Sequence, residues 1–269
     1  TKPEDHHWVI DLARSAGRAI LAVYETDFSV DTKSDESPLT KADLAAHRII
    51  SAGLAEQDPG TPVISEEAGL EDFSVRGQWQ RYWLVDPLDG TKEFVKRNGE
   101  FTVNIALIEQ HRPVLGIVHV PVRNVTYVGI PGSGAWRQDA DQAPTAIQVS
   151  DETPATARVV GSRSHQSDAI AQWLARIGEH EIIAMGSSLK FCVVAEGGAD
   201  VYPRLGLTSE WDTGAAQAVV EAAGGSVLTL DGQALAYNRK DDILNPYFVV
   251  VGSRSRDWLA ATEGLDAKP

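Results

Sequence analysis

Between residues 62 and 130 the chain falls into a rhythm of short runs rich in β-branched and aromatic residues, at 62–65, 82–85, 101–108, 114–120 and 125–130. Each is bounded by Gly, Pro or Asn, so each reads as a strand. Two helical patterns come first. Trp8, Leu12, Ala16, Ala19, Ile20 and Val23 recur at helical spacing within residues 4–25, and Leu44, Ile49, Ile50 and Leu54 do so within residues 40–58, with a polar loop at 34–38 between them. A stretch rich in Gly, Ala, Asp, Gln and Pro covers 131–154, with Ala146-Ile147-Gln148-Val149 as its apolar interlude. Beyond it strands (158–161, 181–184, 200–202, 226–230, 247–251) alternate with helices (168–177, 189–196, 209–223, 256–262). Sheets with helices on their faces make an α+β chain in layers, divided into residues 1–152 and 153–269.

The balance of 24 Lys and Arg against 38 Asp and Glu gives 269 residues a net charge of −14. Such a chain has no general attraction for nucleic acid or an anionic membrane, so an anionic substrate needs a cation to bridge it to the protein. The single cysteine, Cys192, lies in the apolar run Phe191-Cys192-Val193-Val194 and reads as a buried structural thiol. The polar start Thr1–His7 leads into an amphipathic pattern and does not read as a secretory leader. A cytoplasmic chain without a membrane span is expected, and because the sequence opens on Thr1, an initiator Met is expected to be missing from it.

The most informative string is Trp83-Leu84-Val85-Asp86-Pro87-Leu88-Asp89-Gly90-Thr91-Lys92-Glu93-Phe94. An apolar strand runs into a carboxylate, Pro87 is expected to stop the ladder, and Gly90 permits a tight turn. Asp86 and Asp89, on either side of a proline, can converge on one point, with the Leu88 carbonyl as a further oxygen. Gly90 and Thr91 then open a helix whose free N–H groups suit an oxyanion. Asp-Pro and Asp-Gly alone would be surface-turn dipeptides; the whole string in this order is what favours a site.

Three other acidic segments have a plain alternative. Glu66-Glu67, after the strand at 62–65, reads equally as a solvated loop. Ser209-Glu210-Trp211-Asp212 and Thr40-Lys41-Ala42-Asp43 match a helix capping box. A first-turn carboxylate at a helix mouth can nonetheless face a site. All these donors are oxygen, the seven histidines are scattered, and the calcium-loop pattern is absent. Carboxylates with a backbone carbonyl and room for water suit Mg²⁺, and two or more such ions can activate a water in phosphoryl hydrolysis.

Taken together, Glu66-Glu67, Asp86-Pro87-Leu88-Asp89-Gly90-Thr91 and Trp211-Asp212 resemble, in order and spacing, the lithium-inhibited, magnesium-dependent phosphatase family that includes inositol monophosphatase and fructose 1,6-bisphosphatase. The resemblance runs from the first helix to Phe248. Lys92-Glu93-Phe94, the string 98–104, Ser162-Arg163-Ser164-His165 and Gly186-Ser187-Ser188-Leu189-Lys190-Phe191-Cys192 resemble its bacterial 3′(2′),5′-bisphosphate nucleotidase branch, which clears a by-product of sulfate assimilation.

The resemblance implies a layered α/β/α/β/α sandwich with the site in the cleft between its halves. It implies a cytoplasmic enzyme, soluble or peripheral on the inner face of the cell membrane, monomeric or homodimeric. The implied reaction hydrolyses adenosine 3′,5′-bisphosphate to AMP and phosphate with two or three Mg²⁺ and is lithium-sensitive. By motif, Glu66, Asp86 and the Leu88 carbonyl would hold a first ion, and Asp86, Asp89 and Asp212 a second. Thr91 and Asp43 would orient and deprotonate the attacking water, and Gly90 and Thr91 N–H groups would cradle the phosphate. Glu66, Leu88, Asp89, Gly90, Thr91 and Asp212 would thus also line the substrate site.

For the substrate's far end Lys190 is the best cation, after Gly186-Ser187-Ser188, whose N–H and hydroxyl groups could hold a phosphate or ribose; Arg163, His165 and Arg204 are weaker candidates. Tyr202 or Trp211 could flank the base, while Trp8, Trp79 and Trp258 read as packing residues. An inositol or other polyol phosphatase is the alternative within the same chemistry, and a non-enzymatic cation-binding module is the alternative outside it. The missing G-x-x-x-x-G-K-[ST] and G-x-G-x-x-G strings disfavour a nucleotide-binding regulator. No G-x-S-x-G elbow or cysteine loop suggests a covalent nucleophile.

Overall fold

A computed structural model describes residues 3–26, 38–161, 167–253 and 255–265. The first helix, α1, spans His7–Tyr24 after a 3-10 turn at Pro3–His6, and α2 spans Pro38–Gln57. In α1 the buried stripe is Val9, Ile10, Ala13, Ala16, Gly17 and Ile20, so Trp8 and Leu12 stand at its margin rather than its centre. In α2 Ala42, Ala46, Ile50 and Leu54 make one buried line at a spacing of four. Pro38 fills the first helical position, which needs no N–H. Thr40 therefore lies inside α2, and the capping-box reading of Thr40 to Asp43 does not hold.

Seven strands form the first sheet in chain order: β1 (Val63–Ser65), β2 (Arg81–Asp89), β3 (Thr102–Glu109), β4 (Arg112–Val120), β5 (Val125–Ile130), β6 (Gly134–Asp139) and β7 (Thr145–Ile147). Only the β1–β2 pair is parallel. A short helix, α3 (Phe73–Arg76), lies between β1 and β2, and α4 (Thr91–Val95) follows β2. The glycine-rich tract after residue 130 thus holds two strands. In β6 the gap between Gly134 and Asp139 carries only Ala135 and Trp136 as apolar residues, too weak an alternation to mark it.

A second, five-stranded sheet has the order β11-β12-β10-β8-β9. Its strands are β8 (Ala157–Gly161), β9 (His180–Ala184), β10 (Val201–Arg204), β11 (Ser226–Thr229) and β12 (Phe248–Val251). Helices α5 (Asp168–Ile177), α6 (Leu189–Ala195) and α7 (Gly214–Ala222) join them. The expected single helix over 209–223 is instead a 3-10 turn at Glu210–Asp212, a break at Thr213, and α7. The expected last helix shrinks to a 3-10 turn at Ala260–Thr262.

Period-two burial on both sheet faces sets the layers. In β2, Trp83 and Val85 face α1 and α2, while Tyr82 and Leu84 face the central helices. In β12, Phe248 and Val250 share that central core, while Val249 and Val251 pack with Trp173 and Leu174 of α5. The order is therefore α1 and α2, first sheet, α6 and α7, second sheet, α5: an α/β/α/β/α sandwich.

The small-residue helix α7 lies almost on the first sheet. Gly116 and Gly129 are paired across β4 and β5, and a Cβ on them would come within 2.1 Å of the Ala215 carbonyl and 2.3 Å of the Val219 Cα respectively. This approach brings the turn before α7 to the end of β2. Cys192 is fully buried, and burial pushes its thiol pKa up, so it is inert. Among the described residues no helix is long and apolar enough to cross a membrane.

Candidate active site

Two parallel strand ends make the base of the site. Val63, Ile64 and Ser65 of β1 pair with Trp83, Leu84 and Val85 of β2, so the residues that follow, Glu66 and Asp86, emerge side by side. Pro87 does not end β2 as expected. The ladder to β3 skips between Asp86, paired with Asn104, and Asp89, paired with Thr102, and resumes at Asp89. The proline is accommodated in this bulge, where no ladder N–H is required, and the bulge sets Asp86 and Asp89 to the same side. Gly90 then turns the chain with φ +97°, and a Cβ there would stand 3.1 Å from Ser187 and 3.2 Å from the Glu100 carbonyl. Both the left-handed backbone and the space call for glycine.

Each of three aspartates has one oxygen held by a backbone N–H. The Leu88 N–H donates to Asp86 Oδ1 at 3.0 Å, the Ser209 N–H to Asp212 Oδ2 at 3.0 Å, and the Ser188 N–H to Asp89 Oδ2 at 2.6 Å. For Asp212 the cap and the candidate ligand are the same residue, and its capping bond is what breaks 209–223 into a 3-10 turn and α7. Asp43, one turn before His47 on α2, is nearly buried, and its Oδ1 has no hydrogen-bond partner. His47 meets Ser65 at 3.0 Å, fastening α2 to the end of β1.

Electrostatics show how crowded these acids are. Burial and then the charges of Glu67 and Glu66 push the Asp43 carboxyl up to about 8. Burial and then Asp89 push Asp212 up to about 8, against the smaller opposing pull of Arg204. Asp86, 1% exposed, is raised by burial first and then by Asp89, Glu66 and Asp212. Glu66 is exposed at the rim as a residue, yet burial of its carboxyl and then the charges of Asp89 and Glu67 raise it, against the opposing pull of a hydrogen bond shared with Asp86. Among the described residues none of these carboxylates has a Lys or Arg ion pair. Among the described residues, no three His, Cys, Asp or Glu side chains are grouped so that they could hold a metal ion as they stand. The cluster is gathered but open, with hard oxygen donors only, a buried carboxylate oxygen without a partner, and like charges that bound protons or a metal cation would relieve. That donor set fits Mg²⁺.

Thr91 is exposed at the start of α4, which packs against α2. No hydrogen bond joins its hydroxyl to Asp43 among the described residues; Asp43 instead shares one with Glu67. Beside Asp89, Gly90 and Asp212 opens a cavity of about 530 Å³. Lys92, Lys96, Lys190 and Arg204 bring positive charge to it, and Ile170, Leu174 and Leu205 bring apolar surface. Lys190 Nζ donates to the Ser187 carbonyl at 2.9 Å and lies 5.6 Å over the Tyr202 ring. The Arg204 Nε is buried without a partner. Ser187 and Tyr202 line the cavity, whereas Trp211 does not. Arg163 and His165, with the rest of 162–166, lie outside the described residues, as does 34–37 of the polar loop.

The sequence reading of Gly186-Ser187-Ser188 as a phosphate or ribose holder needs correction at Gly186 and Ser188. The Gly186 N–H donates to buried Glu100 at 2.8 Å, and the Ser188 N–H and hydroxyl are both taken by Asp89. Ser188 thus serves Asp89 rather than the substrate, and its partner Asn104 is a polar residue that sequence reasoning left without a role of its own. The available signal was Thr102 and Asn104 alternating with Val103 and Ile105 in a strand buried on both faces, since buried polar groups need partners. Trp8 sits edge-on to Trp83 at 5.7 Å, Trp79 lies 6.3 Å from Tyr82, and Trp258 is buried beside Trp173, so all three are packing residues as read.

Residues 5–262 match the inositol monophosphatase family. The 3′(2′),5′-bisphosphate nucleotidase CysQ of Salmonella typhimurium is 51% identical over 244 residues, covering 90% of this chain and 97% of that protein. The protein of the same name from Escherichia coli K12 is 50% identical over the same shares. Among solved structures, CysQ from Bacteroides thetaiotaomicron, described as a bacterial member of that family, superimposes with a TM-score of 0.85 at 41% identity, covering 94% of this chain and 98% of that one. An inositol monophosphatase from Zymomonas mobilis shares the fold at 23% identity, with a TM-score of 0.78, 97% of this chain and 98% of that one.

Proposed function

Because the chain belongs to the inositol monophosphatase family, we propose that it is a metal-dependent 3′(2′),5′-bisphosphate nucleotidase that hydrolyses adenosine 3′,5′-bisphosphate to AMP and phosphate. The observation that carries this is the meeting of two unlike surfaces. Asp89, Gly90 and Asp212 border both the acidic cluster and a cavity with basic and apolar walls. One phosphate can then lie at the acids while the second phosphate and the base occupy the cavity.

Glu66, Asp86 and the Leu88 carbonyl would hold one Mg²⁺, and Asp86, Asp89 and Asp212 a second, with two or three ions in all. When bound, the cations would neutralise the ester and lower the pKa of an attacking water. The Thr91 hydroxyl would orient that water, take a proton from it and pass its own proton to Asp43. The Asp43 Oδ1, buried and without a partner, is free to receive it. The Gly90 and Thr91 N–H groups, at the mouth of α4, would hold the phosphate oxygens. Ser187, Lys190 and Arg204 would meet the far phosphate or ribose.

Side-by-side turnover of adenosine 3′,5′-bisphosphate and inositol 1-phosphate tests the substrate. The reading expects the nucleotide to be preferred by at least about tenfold in kcat/KM, and a preference for the inositol ester overturns it.

A further inference from the structure

We propose that Ser188 is a positioning residue that fixes Asp89 for metal binding. The inference rests on the functional reading above and adds a residue to it. Of the three aspartate tethers, those on Asp86 and Asp212 come from residues two and three positions away in sequence, Leu88 and Ser209. The tether on Asp89 alone comes from the other sheet's half of the chain, from the N-terminal end of α6, 99 residues on. It is also double: the Ser188 N–H donates to Asp89 Oδ2 at 2.6 Å and the Ser188 hydroxyl lies 2.8 Å from the same oxygen.

That hydroxyl is a junction. It also lies 2.8 Å from the Asp212 carbonyl and accepts from Asn104 Nδ2 at 2.9 Å. A serine has one hydroxyl hydrogen, so the two acceptors share it. Asp89, Asp212 and the strand position opposite Asp86 are thereby tied to one atom. Ser188 and Asn104 are each only 1% exposed.

The consequence for Asp89 is directional. Among the described residues, all of its donors, including Asn104 Nδ2 at 3.5 Å, converge on Oδ2. Among the described residues nothing donates to Oδ1, which is left as the ligating oxygen. Without the Ser188 hydroxyl, Asp89 keeps the Ser188 N–H and only the long bond from Asn104, and its spacing to Asp212 is no longer set by a shared partner. Outer partners of this kind are worth about 10–100-fold in metal affinity.

The test is a calorimetric titration of Mg²⁺ into the metal-stripped protein, wild type against Ser188→Ala, with melting temperature and steady-state kinetics measured alongside. The inference expects Ser188→Ala to weaken Mg²⁺ binding and raise the Mg²⁺ needed for half-maximal rate by about tenfold or more. Substrate KM at saturating Mg²⁺ should stay within about twofold, because the hydroxyl faces the acids and not the ester. If Ser188→Ala does not fold, Ser188→Cys, close in size but a much weaker donor, takes its place with the same expectation. Wild-type Mg²⁺ affinity in a folded variant overturns the inference alone. A loss that appears in melting temperature or substrate KM, with Mg²⁺ affinity unchanged, overturns it in favour of a packing role. Wild-type protein that binds no Mg²⁺ overturns the functional reading, and the inference with it.

Discussion

The backbone N–H of Glu66 donates to the Val85 carbonyl at 3.2 Å, one step beyond the last paired residue of β1. That bond continues the only parallel pairing of the first sheet and sets the Glu66 carboxyl beside that of Asp86. Two acids 20 residues apart thereby begin a cluster that α2 and the turn before α7 complete with Asp43 and Asp212. Burial, and then the charges of neighbouring carboxylates, raises Asp43, Asp86 and Asp212, so holding them all ionised is costly without a cation.

Removing a ligand charge should stop turnover without unfolding the chain. Asp89→Asn or Asp212→Asn is expected to lower kcat by about a thousandfold or more, with the far-ultraviolet spectrum unchanged. Asp212→Asn should melt no lower than wild type in the metal-free state, since it relieves like-charge crowding. Phosphate release and thermal melts check both points; near-normal turnover in either variant would show that the residue is not a ligand.

Stability should depend on pH and metal together. Asp43 and Asp212 titrate near 8 when folded but near about 4 when unfolded. Between those values the folded, metal-free chain binds more protons than the unfolded one, so its stability falls as pH rises through that window. Divalent cations replace those protons, so added Mg²⁺ should raise Tm more at about pH 8.5 than at about pH 5.5. A Mg²⁺ shift that is larger at the lower pH contradicts the acid cluster as the binding site.

Much of this was legible in the sequence, for reasons that differ by element. The apolar line 42, 46, 50, 54 and the strand alternation in β2 are strong periodic signals. Asp86, Asp89 and Gly90 stood out because acids, proline and glycine directly after a buried strand have few structural uses. The skipped register at Pro87 was not legible, because a proline in a strand can end it or sit in a bulge, and only pairing with β3 decides. The break at Thr213 was hidden for the same reason. Residues 209–223 have helical periodicity, and the Ser209–Asp212 bond with the anchoring of Thr213 by Asn245 and Tyr237 overrides it. Ser188 was read toward the substrate and not toward Asp89, since its partners Asp89 and Asp212 are distant in the chain.

The seat of α7 makes a separate prediction. Gly129→Ala would place a methyl 2.3 Å from the Val219 Cα, a backbone atom that cannot rotate away. It should destabilise the fold by about 1–3 kcal/mol and displace the turn that presents Asp212. Denaturant melts and Mg²⁺ affinity should therefore change together; unchanged stability would mean that α7 has more room than the structure gives it.

At the far end of the cavity, Lys190→Ala should act on binding more than on chemistry. Its ammonium is held at the cavity wall by the Ser187 carbonyl and the Tyr202 ring. KM for adenosine 3′,5′-bisphosphate is expected to rise by about tenfold, with kcat within about threefold. A substrate lacking the second phosphate should lose much less, and an equal loss would place the lysine's role elsewhere.

The most direct test strips the protein of metal, supplies adenosine 3′,5′-bisphosphate, and follows free phosphate before and after Mg²⁺ is added. The account predicts no release above background until Mg²⁺ arrives, then turnover that Asp89→Asn does not show. Release at the same rate in the stripped protein, or in Asp89→Asn with Mg²⁺, would contradict it.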